Sequence, residues 1–185
     1  MATLARHLVT VEEFLDIAFD TDERYELDNG VVRMMAGGLA IHARIQGNVF
    51  LALGQKLAES GCSAFGPDMG VSTHRLSLRY PDVSVFCGRD GPENDNLKAF
   101  DDPRLIVEVL SRSARTRDIE VKLPEYRTVE TLDAILYIDP EDESIHLETR
   151  DEQRNWVVAT FGPGENVALP ALSLTLTWEE IFARR

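Results

Sequence analysis

Cysteine is scarce in this chain: its 185 residues include only Cys62 and Cys87. Two widely separated cysteines argue against a disulfide scaffold and a cysteine-built zinc site. They read as small buried residues of a reduced, cytoplasmic protein. Long apolar runs are missing too. No stretch reaches the roughly 18 residues that a membrane helix needs, and Met1 to Val11 lacks the apolar segment of a signal peptide. Basic residues are the third shortage, 19 Lys and Arg against 32 Asp and Glu, for a net charge of −13. That balance disfavours a broad, non-specific grip on nucleic acid, which rests on neutralising phosphates. Any recognition of phosphate must therefore come from local charge. What the chain does have is 44% hydrophobic residues, enough for one compact domain over residues 1–185. No repeat, low-complexity segment or linker divides it.

Thr10 starts a short helix, with Glu13 closing a capping box. Tyr25 to Met34 carries Asn29-Gly30 between two short strands, the hairpin signal. Gly37-Gly38 then breaks the chain before a helix over about Ile41 to Glu59. Ile41, Ile45, Val49, Leu53 and Leu57 recur there at i+4 and give a buried stripe, and Gly61 suits the helix's C-terminal end. Strands are expected at Ala64-Phe65, Gly70 to Thr73 and Pro81 to Phe86. In the last, alternation puts Val83 and Val85 on one face and Asp82, Ser84 and Phe86 on the other. Gly88 to Asp102 is turn-rich and charged, hence a surface loop. A helix over about Arg117 to Tyr126 contains Pro124, which should end or kink it. Ala134 to Pro140 reads as a buried strand, and Ser144 to Thr149 and Trp156 to Phe161 as antiparallel ones. Pro163-Gly164 marks a turn, and a last helix begins near Thr177. The fold class is mixed α/β (α+β).

The chemistry centres on Leu105-Ile106-Val107-Glu108-Val109-Leu110-Ser111, an apolar strand buried on both faces with one carboxylate inside it. Desolvating a lone carboxylate costs several kcal/mol or more, so Glu108 needs a proton, a cationic side chain or a metal ion. Asp82, on a second apolar strand, would join it if the two strands pair. Two carboxylates with water and phosphate oxygens form a shell that Mg²⁺ accepts. By composition alone, buried strand acids are more often ion-paired than metal-bound.

Five pieces stand in order: Tyr25-Glu26-Leu27 with Gly30; His42; Pro81-Asp82-Val83-Ser84-Val85; Val107-Glu108-Val109-Leu110-Ser111 with Ser113; and Arg117-Asp118 with Lys122 and Tyr126. In this order the chain resembles the Uma-two family of bacterial endonuclease-like proteins in the PD-(D/E)XK nuclease superfamily, from about Val9 to Phe182. The resemblance implies a restriction-endonuclease-like core, a mixed sheet flanked by helices, with antiparallel strands towards the C-terminus. It implies a Mg²⁺- or Mn²⁺-dependent hydrolase cutting phosphodiester bonds in DNA. Asp82 and Glu108 match the metal-holding acids, and Glu26 matches a third acid completing the shell. The superfamily's lysine stands two residues after the second acid, where this chain has Leu110, and Lys122 resembles the relocated lysine of this family. Arg112 and Ala134-Ile135 depart from the family's residues at positions that read as structural variation.

Simpler readings stand beside these. Glu26 could be an exposed hairpin residue, and His42 could cap its helix as readily as touch a substrate phosphate. Gln46, one turn on, shares that ambiguity. Arg112, Arg115, Arg117 and Lys122 form the one dense basic patch, either a phosphate-binding edge or a solvated helix face. Asp118 reads as an ion-paired or helix-starting acid. Alternatives to the nuclease are a non-catalytic nucleic-acid-binding or regulatory module of the same fold, and a phosphohydrolase acting on small substrates. A homodimer is the expected assembly, since nucleases of this fold cut duplex strands in pairs.

Overall fold

A computed structural model describes residues 7–20, 23–35, 37–112 and 114–184. Ser113 of the serine motif and the first residues of the Met1 to Val11 stretch lie outside the described residues. Along the chain, helix α1 (Val11–Asp16) precedes the hairpin β1 (Tyr25–Asp28) and β2 (Val31–Met34), then α2 (Ala40–Lys56). Next come β3 (Cys62–Phe65), β4 (Gly70–His74), β5 (Ser77–Arg79), β6 (Val83–Cys87), the short β7 (Ala99–Phe100) and β8 (Leu105–Val109). A three-residue turn of helix, α3 (Arg115–Arg117), runs through a π-helical turn (Asp118–Lys122) into α4 (Leu123–Tyr126). The chain closes with β9 (Ala134–Asp139), β10 (Ser144–Arg150), β11 (Trp156–Phe161), β12 (Val167–Leu169), β13 (Leu174–Leu176) and α5 (Trp178–Phe182).

The strands form a six-stranded mixed sheet, β11-β10-β9-β8-β6-β3, and a five-stranded one, β2-β1-β5-β4-β7, with β12 and β13 paired apart. Only β8–β9 is parallel in the larger sheet. Its crossover runs through α3 and α4, as a parallel pair requires. The period-2 alternation then sorts side chains onto two faces. Leu105, Val107 and Val109 pack with Val83, Val85 and the Ile45, Val49 and Leu53 stripe of α2. Ile106 and Leu110 pack on the other face with Phe86, Tyr126 and Tyr137. Glu108 lies between Ile106 and Leu110 on that second face, and is buried at 4% exposure.

Local signals hold well. Thr10 and Thr177 each cap a helix in a reciprocal box with Glu13 and Glu180. Asn29 and Gly30 both take positive φ in the β1–β2 turn, as a two-residue hairpin demands. The 41–59 helix ends earlier than its apolar stripe: α2 stops at Lys56, and Glu59 and Gly61 take the left-handed conformations that turn the chain into β3. In the loop expected at 88–102, Ala99 and Phe100 pair in parallel with Gly70 and Val71. Ser77–Arg79 forms a buried strand that periodicity alone did not reveal, because the run is three residues long.

The cysteine expectation is corrected. Cys62 and Cys87 stand opposite each other on β3 and β6, half-buried, and their sulfurs are bonded. Their 25-residue separation hides a cross-strand register that only pairing of the sheet creates.

Candidate active site

Asp82 precedes β6, and the β6–β8 register sets Val83 against Val107. One step further along both strands brings Asp82 beside Glu108, on the same face. The Asp82 Oδ2 accepts the Val109 backbone N–H at 2.7 Å and lies 3.1 Å from His42 Nε2. From α2, Gln46 donates its Nε2 to the Asp82 backbone carbonyl at 3.2 Å. Thus Gln46 holds the strand end and does not line the cavity. That cavity, of about 210 Å³, is lined by Glu26, His42, Asp82, Glu108, Arg117, Asp118 and Lys122 among others. The separate acids, the histidine and the displaced lysine therefore do converge.

Lys122 reaches back because of how its helix is wound. The Leu123 N–H bonds the Asp118 carbonyl, one residue further back than an α-helix would allow. Pro124 has no N–H to give, and a π-turn is one way a helix absorbs that gap. The turn buries Asp118 and Lys122 together. The Lys122 Nζ lies 3.2 Å from Glu108 Oε1 and 3.1 Å from Asp118 Oδ1. The Tyr126 hydroxyl donates to the same Glu108 oxygen at 2.7 Å. So the Glu108 question resolves towards a cationic side chain and a phenol. Asp118, read from the sequence as an ion-paired or helix-starting acid, is ion-paired, with Lys122 within the cavity. Its i,i+4 spacing from Lys122 was the available signal.

Burial pushes the Glu108 carboxyl up to about 7; Lys122 opposes this, and the charges of Asp82 and Asp118 reinforce it. Burial likewise raises Asp118. Lys122 moves the other way relative to its own burial: Glu108, Asp118 and Glu26 outweigh desolvation and hold its ammonium charged. The two partners differ because the lysine faces several carboxylates, whereas each carboxylate shares one cation. His42 is raised, first by its hydrogen bond to Asp82 and against the opposing effect of burial.

Glu26, buried at 2% exposure, is set differently. Its Oε1 lies 2.6 Å from Arg117 Nη2 and 3.4 Å from Arg79 Nη1, while its Oε2 is buried without a hydrogen-bond partner. Arg79, fully buried, also pairs with Asp28 at 2.9 Å and with Glu125. Burial opposes its charge, but Glu125 and Glu26 keep it above its ordinary value. Nothing in the local sequence of β5 singled out this arginine. The arginines of the basic patch each have an acidic partner: Arg112 pairs with Glu141, Arg115 with Asp139, and Arg117 with Glu26 and Asp28. Each cation already answers a nearby acid.

Among the described residues, no three His, Cys, Asp or Glu side chains are arranged as a ready metal cage. The donor set still fits a hard divalent ion of the kind that uses one or two carboxylates with water and phosphate oxygens. Asp82 and Glu108 supply two such groups, and Glu26 brings an orphaned buried oxygen to the same cavity.

The Uma2 family model, described as "Putative restriction endonuclease", matches residues 11–179. The chain belongs to this family. A Uma2 protein of this kind has a relative in Synechocystis sp., an uncharacterized protein 28% identical over 170 residues, covering 91% of this chain and 96% of that one. A crystal structure from Anabaena variabilis, of a "putative nuclease belonging to DUF820", superposes with a TM-score of 0.76 at 18% identity. It covers 95% of this chain and 98% of its own, and shares with this Uma2 protein its fold, mixed sheets flanked by helices. No helix among the described residues is long and apolar enough to cross a membrane.

Proposed function

We propose that this Uma2 protein is a Mg²⁺- or Mn²⁺-dependent endonuclease that hydrolyses phosphodiester bonds in DNA. The observation that carries the reading is a charge imbalance. Asp82, Glu108 and Asp118 line one cavity whose ion pairs to them come from Lys122 and His42 alone among the described residues. Such a site draws in a further cation. Asp82 and Glu108 would hold it, with Glu26 completing the shell directly or through water. A divalent ion there supplies a water of lowered pKa and positive charge for the phosphodiester oxygens. Lys122 orients the attacking water and adds its charge beside the phosphate. His42, braced by Asp82, and Arg117, whose fork has donors beyond those given to Glu26 and Asp28, contact the flanking phosphates. Gln46 keeps the Asp82 backbone in register.

Cleavage of single- and double-stranded DNA with Mg²⁺ or Mn²⁺ tests the reading. Wild-type protein should cut, and Glu108→Ala should lose at least about a hundredfold, on the scale of losing one preorganised electrostatic group. Equal cutting by both, or by neither, overturns it. One observation favours the second reading, a non-catalytic module: Lys122 is clasped between Glu108 and Asp118, and Leu110 occupies the usual lysine position. Calorimetric titration with Mn²⁺ separates the two, because a module without the metal takes up no heat and ignores Asp82→Ala. The proposed assembly is a homodimer pairing two sites on a duplex, which sedimentation reads. The proposed compartment is the cytoplasm. A disulfide is uncommon there, so alkylation mass spectrometry of Cys62 and Cys87 from cells reports on it.

A further inference from the structure

A second cavity, of about 270 Å³, opens between α1 and the five-stranded sheet. Four of its lining residues are aromatic, Phe14, Phe19, Tyr25 and Tyr80, and beside them stand Glu23 and the ion pair of Arg24 with Asp68 at 2.7 Å. Phe19 and Tyr25 already stack, with ring centroids 4.4 Å apart and planes 11° from parallel, and Phe14 closes on Phe19 at 5.6 Å. Phe19 is 36% exposed, whereas Phe14 is buried at 4%, so the box has a closed floor and an open lip. Lys98 crosses that lip, its Nζ tied to the Leu15 carbonyl at 2.7 Å.

Two residues, Met35 and Tyr80, line both this cavity and the acidic one. Moreover, Tyr25 is the neighbour of Glu26, and Tyr80 stands two residues before Asp82. The aromatic box and the carboxylate site thus share a wall. Its volume falls just below the roughly 300–1,000 Å³ of small-ligand pockets, which suits one planar ring and not a longer ligand. Flat aromatic faces, a flexible thioether and charged groups of both signs, Glu23, Asp68, Arg24 and Lys98, suit a ring that carries polar edges. A strand held by its phosphate at the acidic site has one such ring on the adjoining sugar.

We infer that this aromatic box is a nucleobase subsite: it takes one base that has left the stack, on the nucleotide next to the phosphate held at the carboxylate site. The inference rests on the nuclease reading for its choice of ligand, but not on cleavage. Stacking of a base on aromatic side chains tolerates every base, since each has a π-face. The subsite therefore selects for an unpaired nucleotide and not for sequence. Duplex DNA enters it only where a base is extruded from the helix.

The test is equilibrium binding in Ca²⁺ buffer, so that the carboxylate site has a divalent ion available to hold the phosphate, with 2-aminopurine as a fluorescent base in a short single-stranded oligonucleotide, and separately as the free riboside. Wild-type protein should quench the probe in both arms, more tightly in the oligonucleotide. Phe19→Ala, at the exposed lip, should weaken the oligonucleotide about tenfold, the scale of one lost base–aromatic stack. Phe19→Trp should restore it. An oligonucleotide with an abasic site in place of the probed nucleotide should bind wild type and Phe19→Ala alike. Unchanged quenching in Phe19→Ala, or no quenching in wild type, overturns the subsite even if the protein cuts DNA. Retained quenching in a protein that never cuts supports the subsite while the nuclease reading fails. Quenching by the riboside alone, with no gain in the oligonucleotide, identifies a free-nucleoside site and overturns the placement beside a strand's phosphate.

Discussion

Two clusters of buried charge lie close together and are balanced in opposite ways. Towards the five-stranded sheet, Glu26, Asp28 and Glu125 meet Arg79, Arg117 and Arg33. Three carboxylates answer three guanidiniums. On the six-stranded sheet, Asp82, Glu108 and Asp118 share one ammonium, with one imidazole beside Asp82. The first cluster ties α3 to β1 and β5, with Glu26 Oε2 left without a hydrogen-bond partner. The second carries excess negative charge at low exposure, and a fold tolerates that only if protons or a cation complete it. Glu26 and Arg117 belong to the first cluster but also line the acidic cavity, so the balanced network borders the unbalanced one.

The comparison breaks hardest at Arg79. Arg79→Ala would leave Asp28 and Glu125 short of their buried partner, and loss of one member of such a network costs about 3–5 kcal/mol. Urea unfolding should register it. In the second cluster, removing a carboxylate should do little harm. Glu108→Gln, which relieves an acid already pushed upward, should unfold within about 1 kcal/mol of wild type at pH 7, while on the proposed mechanism it should abolish cutting.

A pH series sharpens the same contrast. A raised carboxyl binds its proton more tightly in the native state, so its contribution is full below its ordinary value near 4.5 and is lost as pH climbs to about 7. Melting curves in metal-free buffer should therefore show a decline over that window in wild type, and a flatter one in Glu108→Gln. An identical slope would remove Glu108 as its source. Smaller still is Gln46→Ala. Loss of its bond to the Asp82 carbonyl should cost about 1 kcal/mol in stability, with a larger loss in Mn²⁺ affinity by calorimetry. At the bottom of the scale, Arg112→Ala severs an exposed pair with Glu141 and should move stability by less than about 0.5 kcal/mol.

How much was legible beforehand divides along a physical line. Asn29-Gly30 and the Thr10 and Thr177 boxes act within a few residues, and each forms where its local chemistry calls for it. The alternation at Val83 to Phe86 assigned faces correctly, because pleat geometry leaves a strand two sides only. The i+4 stripe of α2 found its core face but not its end, since apolar spacing continues past Lys56 while the backbone does not. The apolar strands pointed to Glu108 and Asp82 in advance, and the resemblance added Glu26 as a third acid and a role for Lys122. Asp118 was underrated because an acid near arginines has an ordinary explanation ready, and it took the π-turn to remove it.

The sequence by itself determined the local elements, the sidedness of the strands and the burial of Glu108 in an apolar run. These follow from steric and hydrophobic rules that operate over neighbouring residues. Only the tertiary structure decided which charges answer which. Arg79 with Glu125, Lys122 with Glu108 and Cys62 with Cys87 are pairings set by strand register and by one π-turn. Coulomb attraction and desolvation depend on distance through space, and distance along the chain does not encode it.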